Sequence, residues 1–269
     1  MVRTETTEKV QCEFCGRNLK QEELIIIIGD TQTKINMKVE RCNCIQAKEF
    51  WKVQDYKRKK EIELQEKREK DKRIEKLYEK SKLPIRLKWY SFQNFKITKE
   101  NEKAYCKAKE YAQSIKNGSK KSLIITGNIG TGKTHLASSI ANFLIESEIS
   151  VVFGTLINLL NEVKNTYTME NKTESFIIEK YSKVPLLIID DLGKERPSEW
   201  TLEKLFTIIN NRYENNLPVV ITTNYNREKL RERLANNTNY EIADSIISRL
   251  YEMCNGISLT GKDKRKELV

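Results

Sequence analysis

No stretch of this 269-residue chain approaches the ~20 consecutive apolar residues of a membrane-spanning helix. That excludes a helical membrane protein, and no membrane partner is expected. Met1 to Gln11 are polar and lack the apolar core of a signal peptide, so a soluble, cytoplasmic chain is expected. Apolar residues make up only 38% and charged residues 32%, which leaves part of the chain outside a packed core. Glycine and proline are missing altogether from 46–80, and no apolar residue occurs from Gln65 to Arg73. A core helix is excluded there. The Glu63–Lys67, Glu66–Lys70 and Glu69–Arg73 pairs at i,i+4 instead predict a solvated helix or semi-rigid spacer. Histidine occurs once, as His135; it reads as a helix residue rather than a catalyst.

Cysteines number six. Four pair by spacing, as Cys12-x-x-Cys15 and Cys42-x-Cys44. In a cytosolic chain such pairs point to metal rather than disulfide. Four thiolates would complete a closed tetrahedral zinc site, stapling a segment too short to hold its own core. Leu24–Ile28 and Ile35–Val39 read as strands, with Gly29-Asp30 as a turn signal. Phe50, Trp51, Val53 and Tyr56 follow as an apolar cluster, and two roles fit it: capping the zinc module or binding a partner. Cys106 and Cys254 stand alone and are expected to be small buried hydrophobes.

The charge is uneven. The net is +11, yet 1–45 balances seven basic against seven acidic residues, and 46–80 carries thirteen against nine. A basic surplus suits a polyanion such as DNA or RNA, although lysine-rich solvated faces give the same count.

The positive signal is strongest at Gly127-Asn128-Ile129-Gly130-Thr131-Gly132-Lys133-Thr134, which fits G-x-x-x-x-G-K-[ST] at every fixed position. It follows the apolar run Leu123-Ile124-Ile125 and precedes an apolar-periodic run from His135 to Leu144, the strand–loop–helix setting of a P-loop. Glycines let backbone N–H groups turn inward on phosphate oxygens, and a helix start adds its positive dipole end. The stretch from Gly127 to His135 would thus hold ATP. Lys133 would reach the β/γ-phosphates, and the Thr134 hydroxyl would ligate Mg²⁺. Leu186-Leu187-Ile188-Ile189-Asp190-Asp191 reads as a buried strand ending in two carboxylates. Asp190 would hold Mg²⁺ through water, and Asp191 would polarise the attacking water. Val219-Val220-Ile221-Thr222-Thr223-Asn224 is another apolar strand with a polar end, where Asn224 would orient that water. Strands expected at 122–126, 151–153, 185–190, 218–222 and 256–259, with helices between them, mean a parallel α/β sheet. A further helix is expected from about Glu100 to Lys116, stopped by Asn117-Gly118.

These motifs, with Asn210-Asn211-Arg212-Tyr213-Glu214 ahead of the third of them and Ile246-Ile247-Ser248-Arg249-Leu250 after it, resemble the DnaC/DnaI-type replicative helicase loaders. Those are AAA+ ATPases related to the DnaA initiators and the IstB transposition helpers. The resemblance covers about 83–260, and the paired cysteines resemble the zinc module of some members. It implies an AAA+ domain at 83–269 with a five-stranded parallel sheet, a charged helical linker at 46–82 and a zinc-binding, partner-interaction module at 1–45. It further implies ATP hydrolysis, a hexameric replicative DNA helicase and single-stranded DNA as partners, and self-association through an ATP interface. Asn224 matches sensor 1, and Arg249 matches the arginine finger that acts on a neighbouring subunit's nucleotide. Two features depart from the family pattern. Asp191 stands where AAA+ ATPases commonly have glutamate, which favours slow hydrolysis, and Gly261 to Val269 are too few for a helical lid, leaving Arg265 as the late candidate for sensor 2. Tyr167 with Lys164 and Lys172 is a candidate DNA contact, and Phe92 and Phe95 fit either the nucleotide base or the core. An IstB-type transposition helper and a nucleotide-switched DNA-binding module with little turnover are the alternatives.

Overall fold

The computed structural model describes residues 2–28, 31–168, 173–261 and 263. It divides into two compact units, 1–71 and 72–269, and the boundary falls within helix α1 (Ile45–Ser81). That helix spans the charged stretch, where Gln65 donates to Glu69 one turn on.

In the first unit, β1 (Val2–Gln11), β2 (Asn18–Ile28) and β3 (Thr31–Val39) form an antiparallel sheet in that order. The two expected strands lie inside β2 and β3. The first strand was not foreseen, because Thr4 to Glu8 carries almost no apolar signal; its register against β2, with Thr4 opposite Leu24, supplies what its side chains do not advertise. The Gly29-Asp30 turn lies outside the described residues. The buried core of this unit is Cys12, Leu19, Cys42 and Ala47, with Cys44 and Trp51 packed against it. So Trp51 covers the cysteines, beneath the Arg41 guanidinium at 4.8 Å from its ring centroid. Phe50 faces Phe14 at 5.5 Å, whereas Val53 and Tyr56 are exposed.

In the second unit, β4 (Ser122–Gly127), β5 (Val151–Thr155), β6 (Leu186–Asp190), β7 (Val219–Thr223) and β8 (Cys254–Leu259) form one parallel sheet, ordered β5-β6-β7-β4-β8. Both faces are covered, which is why the strands read as unbroken apolar runs. Alternate residues serve opposite faces. Leu123, Ile125, Leu186 and Ile188 pack with α2 (Glu102–Lys116) and α3 (Lys133–Glu146). Ile124, Leu187, Ile189 and Ile221 pack with the other layer. That layer holds α4 (Leu156–Asn165), α5 (Glu174–Lys183), α6 (Glu199–Glu214), α7 (Arg227–Ala235) and α8 (Tyr240–Met253). From β4 the chain crosses past β7 and β6 to the far edge at β5, so the carboxyl ends of β4, β6 and β7 border one crevice. None of the described helices is long and apolar enough to cross a membrane.

The lone cysteines depart from expectation. Cys106 is exposed, because the buried stripe of α2 runs through Ala104, Ala108, Tyr111, Ala112 and Ile115 and leaves position 106 on the opposite side. Cys254 is half-buried at the start of β8, and burial pushes its thiol up to about 12.

Arg212 is fully buried near the end of α6. Its Nη1 donates to the Tyr181 carbonyl at 2.7 Å, and its Nη2 to the Val184 and Pro218 carbonyls at 3.0 and 2.5 Å. It thereby ties α6 to the chain entering β6 and β7. Burial lowers its pKa to about 10, so the side chain remains a cation at neutral pH. An Arg212→Met substitution leaves three enclosed carbonyls without their charged donor, and a loss of about 3 kcal/mol is expected. Urea unfolding monitored in the second unit measures it.

Candidate nucleotide site

The P-loop joins β4 to α3. At Gly127 the backbone has φ +154°, and a Cβ would run into the Leu259 carbonyl oxygen on adjacent β8. At Gly132, with φ +105°, a Cβ would sit 3.1 Å from the Phe95 ring. Helix α3 then begins with no side-chain cap, so its first N–H groups are left for an anion. The carboxylate of Asp263, beyond β8, lies against Gly130. Lys133 is 5% exposed. Its Nζ donates to the Gly127 and Asn128 carbonyls at 2.8 and 2.7 Å, folding the cation back onto its own loop. Thr131 closes the same loop by donating to the Asn128 carbonyl at 2.9 Å.

Asp190, the last residue of β6, is buried. The Thr134 hydroxyl lies 3.1 and 3.0 Å from its two oxygens, and the Thr222 hydroxyl donates to Oδ1 at 2.6 Å. Burial and the neighbouring Asp191 charge push the carboxyl above its usual range, against the pull of those hydroxyls and Lys133. A hard cation here would meet the Thr134 hydroxyl and a carboxylate side by side, the donor set Mg²⁺ takes. Thr222 also accepts from the Asp191 N–H at 2.8 Å, and its carbonyl accepts from the Leu192 N–H at 2.8 Å. It therefore sets the turn that carries Asp191, whose φ is +55°. Thr222 was not assigned a role in the sequence. The available signal was a hydroxyl ending an apolar strand that neighbours the acidic one. Asn224 sits half-buried just past β7, at the same end of the sheet.

The His135 ring packs against 90–94. Its Nε2 lies 3.1 Å from the Ser91 carbonyl and 2.9 Å from Asn94 Oδ1, and its ring stacks on Tyr90 at 4.2 Å. Phe92 and Phe95 are buried core residues, with Phe95 also flanking Gly132. Arg249 is on α8, and its polar contacts are Asn210 on α6 and the Ser245 carbonyl; among the described residues none joins it to the P-loop of its own chain. Tyr167 is exposed and donates to Glu174, while Lys164 lies over the Trp200 ring at 5.1 Å. Lys172 and Arg265 lie outside the described residues. A cavity of about 220 Å³ opens beside Asp191 at the ends of β5 and β6, between Leu160, Lys164, Lys194 and Arg196.

In the first unit, the Sγ atoms of Cys12, Cys15, Cys42 and Cys44 all lie within 4.8 Å of one another. The Cys15–Cys42 and Cys12–Cys44 separations are 3.4 and 4.0 Å. A tetrahedral zinc with bonds of ~2.3 Å needs sulfur–sulfur edges of about 3.8 Å, so the cluster fits that ion. The Cys44 backbone N–H, joined by neighbouring thiols, draws the Cys42 thiol down to about 7.

A parallel sheet with a P-loop, an acidic strand end and a polar neighbouring strand at one crevice defines an α/β P-loop ATPase fold. Its AAA+ domain is of the IstB/DnaC type, and the chain belongs to the family described as IstB-like ATP binding protein, which matches residues 51–268. The replicative helicase loader DnaC of Escherichia coli K12 is 30% identical over 145 residues, covering 54% of this chain and 59% of that protein. The phage-like element PBSX protein XkdC of Bacillus subtilis is 27% identical over 169 residues, with 60% and 59% covered. The chain thus spans about six-tenths of the length of these relatives. Among solved structures, that of DnaI matches with a TM-score of 0.57 at 25% identity, covering 66% of this chain and 95% of the other. AMPPCP-bound DnaA from Aquifex aeolicus shares the fold, with a TM-score of 0.56 at 22% identity and 69% and 53% covered.

Proposed function

We propose that this chain is an ATP-dependent loader that binds a hexameric replicative DNA helicase and deposits it on single-stranded DNA. The observation that carries the reading is the hydrogen-bonded Thr134–Asp190–Thr222 set at the strand ends, with Lys133 held on the adjoining loop, in a chain similar to proteins named replicative helicase loader. In this reading Gly127 to His135 hold the triphosphate, the His135 ring also bracing the loop's helix against 90–94. Thr134 and Asp190 hold Mg²⁺, whose charge would neutralise the phosphate oxygens. Asp191 and Asn224 position the attacking water, with the shorter aspartate making turnover slow. Arg249 acts on the nucleotide of the next subunit, so ATP joins copies of the chain. Residues 1–45 form a zinc module that meets the helicase, 46–82 the linker and 83–269 the motor.

The test is a mixture of the purified chain with the replicative helicase of its own source, weighed by native mass with and without Mg-ATP. A complex of several loader chains on one helicase hexamer is expected, strengthened by ATP. Absence of any complex contradicts the reading. The family description names IstB, and the rival reading is an IstB-type transposition helper that binds duplex DNA and recruits a transposase; retrieval of transposase in place of helicase would establish it.

A further inference from the structure

The side chain of Arg249 is held in an unusual way for a half-buried arginine on a helix. Its Nε donates to Asn210 Oδ1 at 2.8 Å, and its Nη1 to the Ser245 carbonyl at 3.0 Å. Its guanidinium carbon lies 5.0 Å from the Phe206 ring centroid and 5.8 Å from that of Tyr213. The two carboxylates nearest in sequence on these faces are engaged by other groups. Asn210 Nδ2 donates to Glu214 at 2.8 Å, which fixes the amide so that its oxygen faces the arginine, and the Tyr213 hydroxyl donates to Glu252 at 2.7 Å. Among the described residues Arg249 makes no salt bridge, and its Nη2 carries no hydrogen bond.

This arrangement follows from spacing. Phe206, Asn210 and Tyr213 lie at i, i+4 and i+7 on α6, and Ser245, Arg249 and Glu252 repeat the same steps on α8. The two seams face each other. Two aromatic rings and two neutral acceptors fix the plane of the cation without cancelling its charge. A carboxylate in place of Asn210 would still accept from Nε, but it would neutralise the cation and give up the bond to Glu214. An immobilised guanidinium with no carboxylate bonded to it and one open edge, among the described residues, suits a phosphate better than it suits fold stability.

We propose that Asn210 is a positioning residue for Arg249, with Phe206 and Tyr213 as its stacking cradle and Glu214 orienting the amide. The inference rests on the reading that Arg249 serves the nucleotide of a neighbouring copy. The cradle pre-sets the guanidinium plane, so that joining two copies requires no search of arginine rotamers.

The test uses the full-length chain and measures phosphate release from Mg-ATP against chain concentration, together with melting temperature. Asn210→Asp is expected to keep the hydrogen bond from Arg249 and stay folded, melting slightly below wild type because its second oxygen then opposes Glu214, yet to lower kcat at least tenfold with KM for ATP unchanged. A merely structural role predicts wild-type kcat for that variant. Mixing Asn210→Asp with Lys133→Ala in equal amounts is expected to restore about a quarter of wild-type turnover, because each variant lends the other its intact half of a head-to-tail interface. Arg249→Ala separates the two levels. If it loses turnover while Asn210→Asp and Asn210→Ala do not, the positioning role is overturned alone. If Arg249→Ala hydrolyses as wild type, or if wild-type turnover per chain does not rise with concentration, the action across copies falls and the positioning role with it.

Discussion

Replacing Lys133 by alanine is expected to lower ATP hydrolysis by a hundred- to a thousandfold while leaving the fold intact. A single preorganised donor facing developing charge in an enclosed site is worth roughly 2.7–4 kcal/mol, and Lys133 is nearly enclosed. Its present partners are two carbonyls of its own loop, which the ammonium must leave to meet phosphate. Alanine leaves those carbonyls at the mouth of the crevice, where water replaces the lost donor, so the melting temperature should move by only a few degrees, about 1 kcal/mol. Arginine should not restore activity, because its planar fork is longer and differently shaped than an ammonium. Phosphate release with matched unfolding curves checks both halves. A variant that hydrolyses within threefold of wild type contradicts the assignment.

Withdrawing the proposed zinc is expected to unfold the first unit. Its described buried core holds four residues, two of them cysteines, far less apolar surface than an independent domain needs. The four thiols lie at tetrahedral spacing, and structural zinc of this kind contributes about 10 kcal/mol or more to folding at neutral pH. Chelation, or Cys42→Ser, should therefore abolish the strand signal of β1–β3, while the core of the second unit melts as before. The check is elemental analysis of reductively purified protein, followed by circular dichroism with and without chelator. Protein without zinc that keeps its first sheet would overturn the site.

Much of this architecture was legible because the chemistry is local. The P-loop, the acidic strand and the polar end of β7 each announce themselves within about eight residues, and their convergence follows from a parallel sheet. What stayed hidden depends on pairing across distance. β1 is a strand because β2 offers it edges, not because Thr4 to Glu8 prefer one. Cys106 is exposed although cysteines are usually enclosed, since the stripe of α2 passes it by. Arg212 stands within a polar run, and nothing there foretells that it is buried against three carbonyls from two other segments. Thr222 looked like the tail of a strand until β6 and β7 brought its hydroxyl to Asp190. Only the family resemblance implied that Arg249 meets phosphate; the structure adds that within its own chain it is turned to α6.

Calorimetric titration of the folded chain with ATP in the presence of magnesium is the most direct measurement. One saturable site per chain is expected, weakened when magnesium is withheld and lost in Lys133→Ala. A flat trace from well-folded protein would contradict the pocket between residues 127 and 134 and Asp190, and the loading role with it.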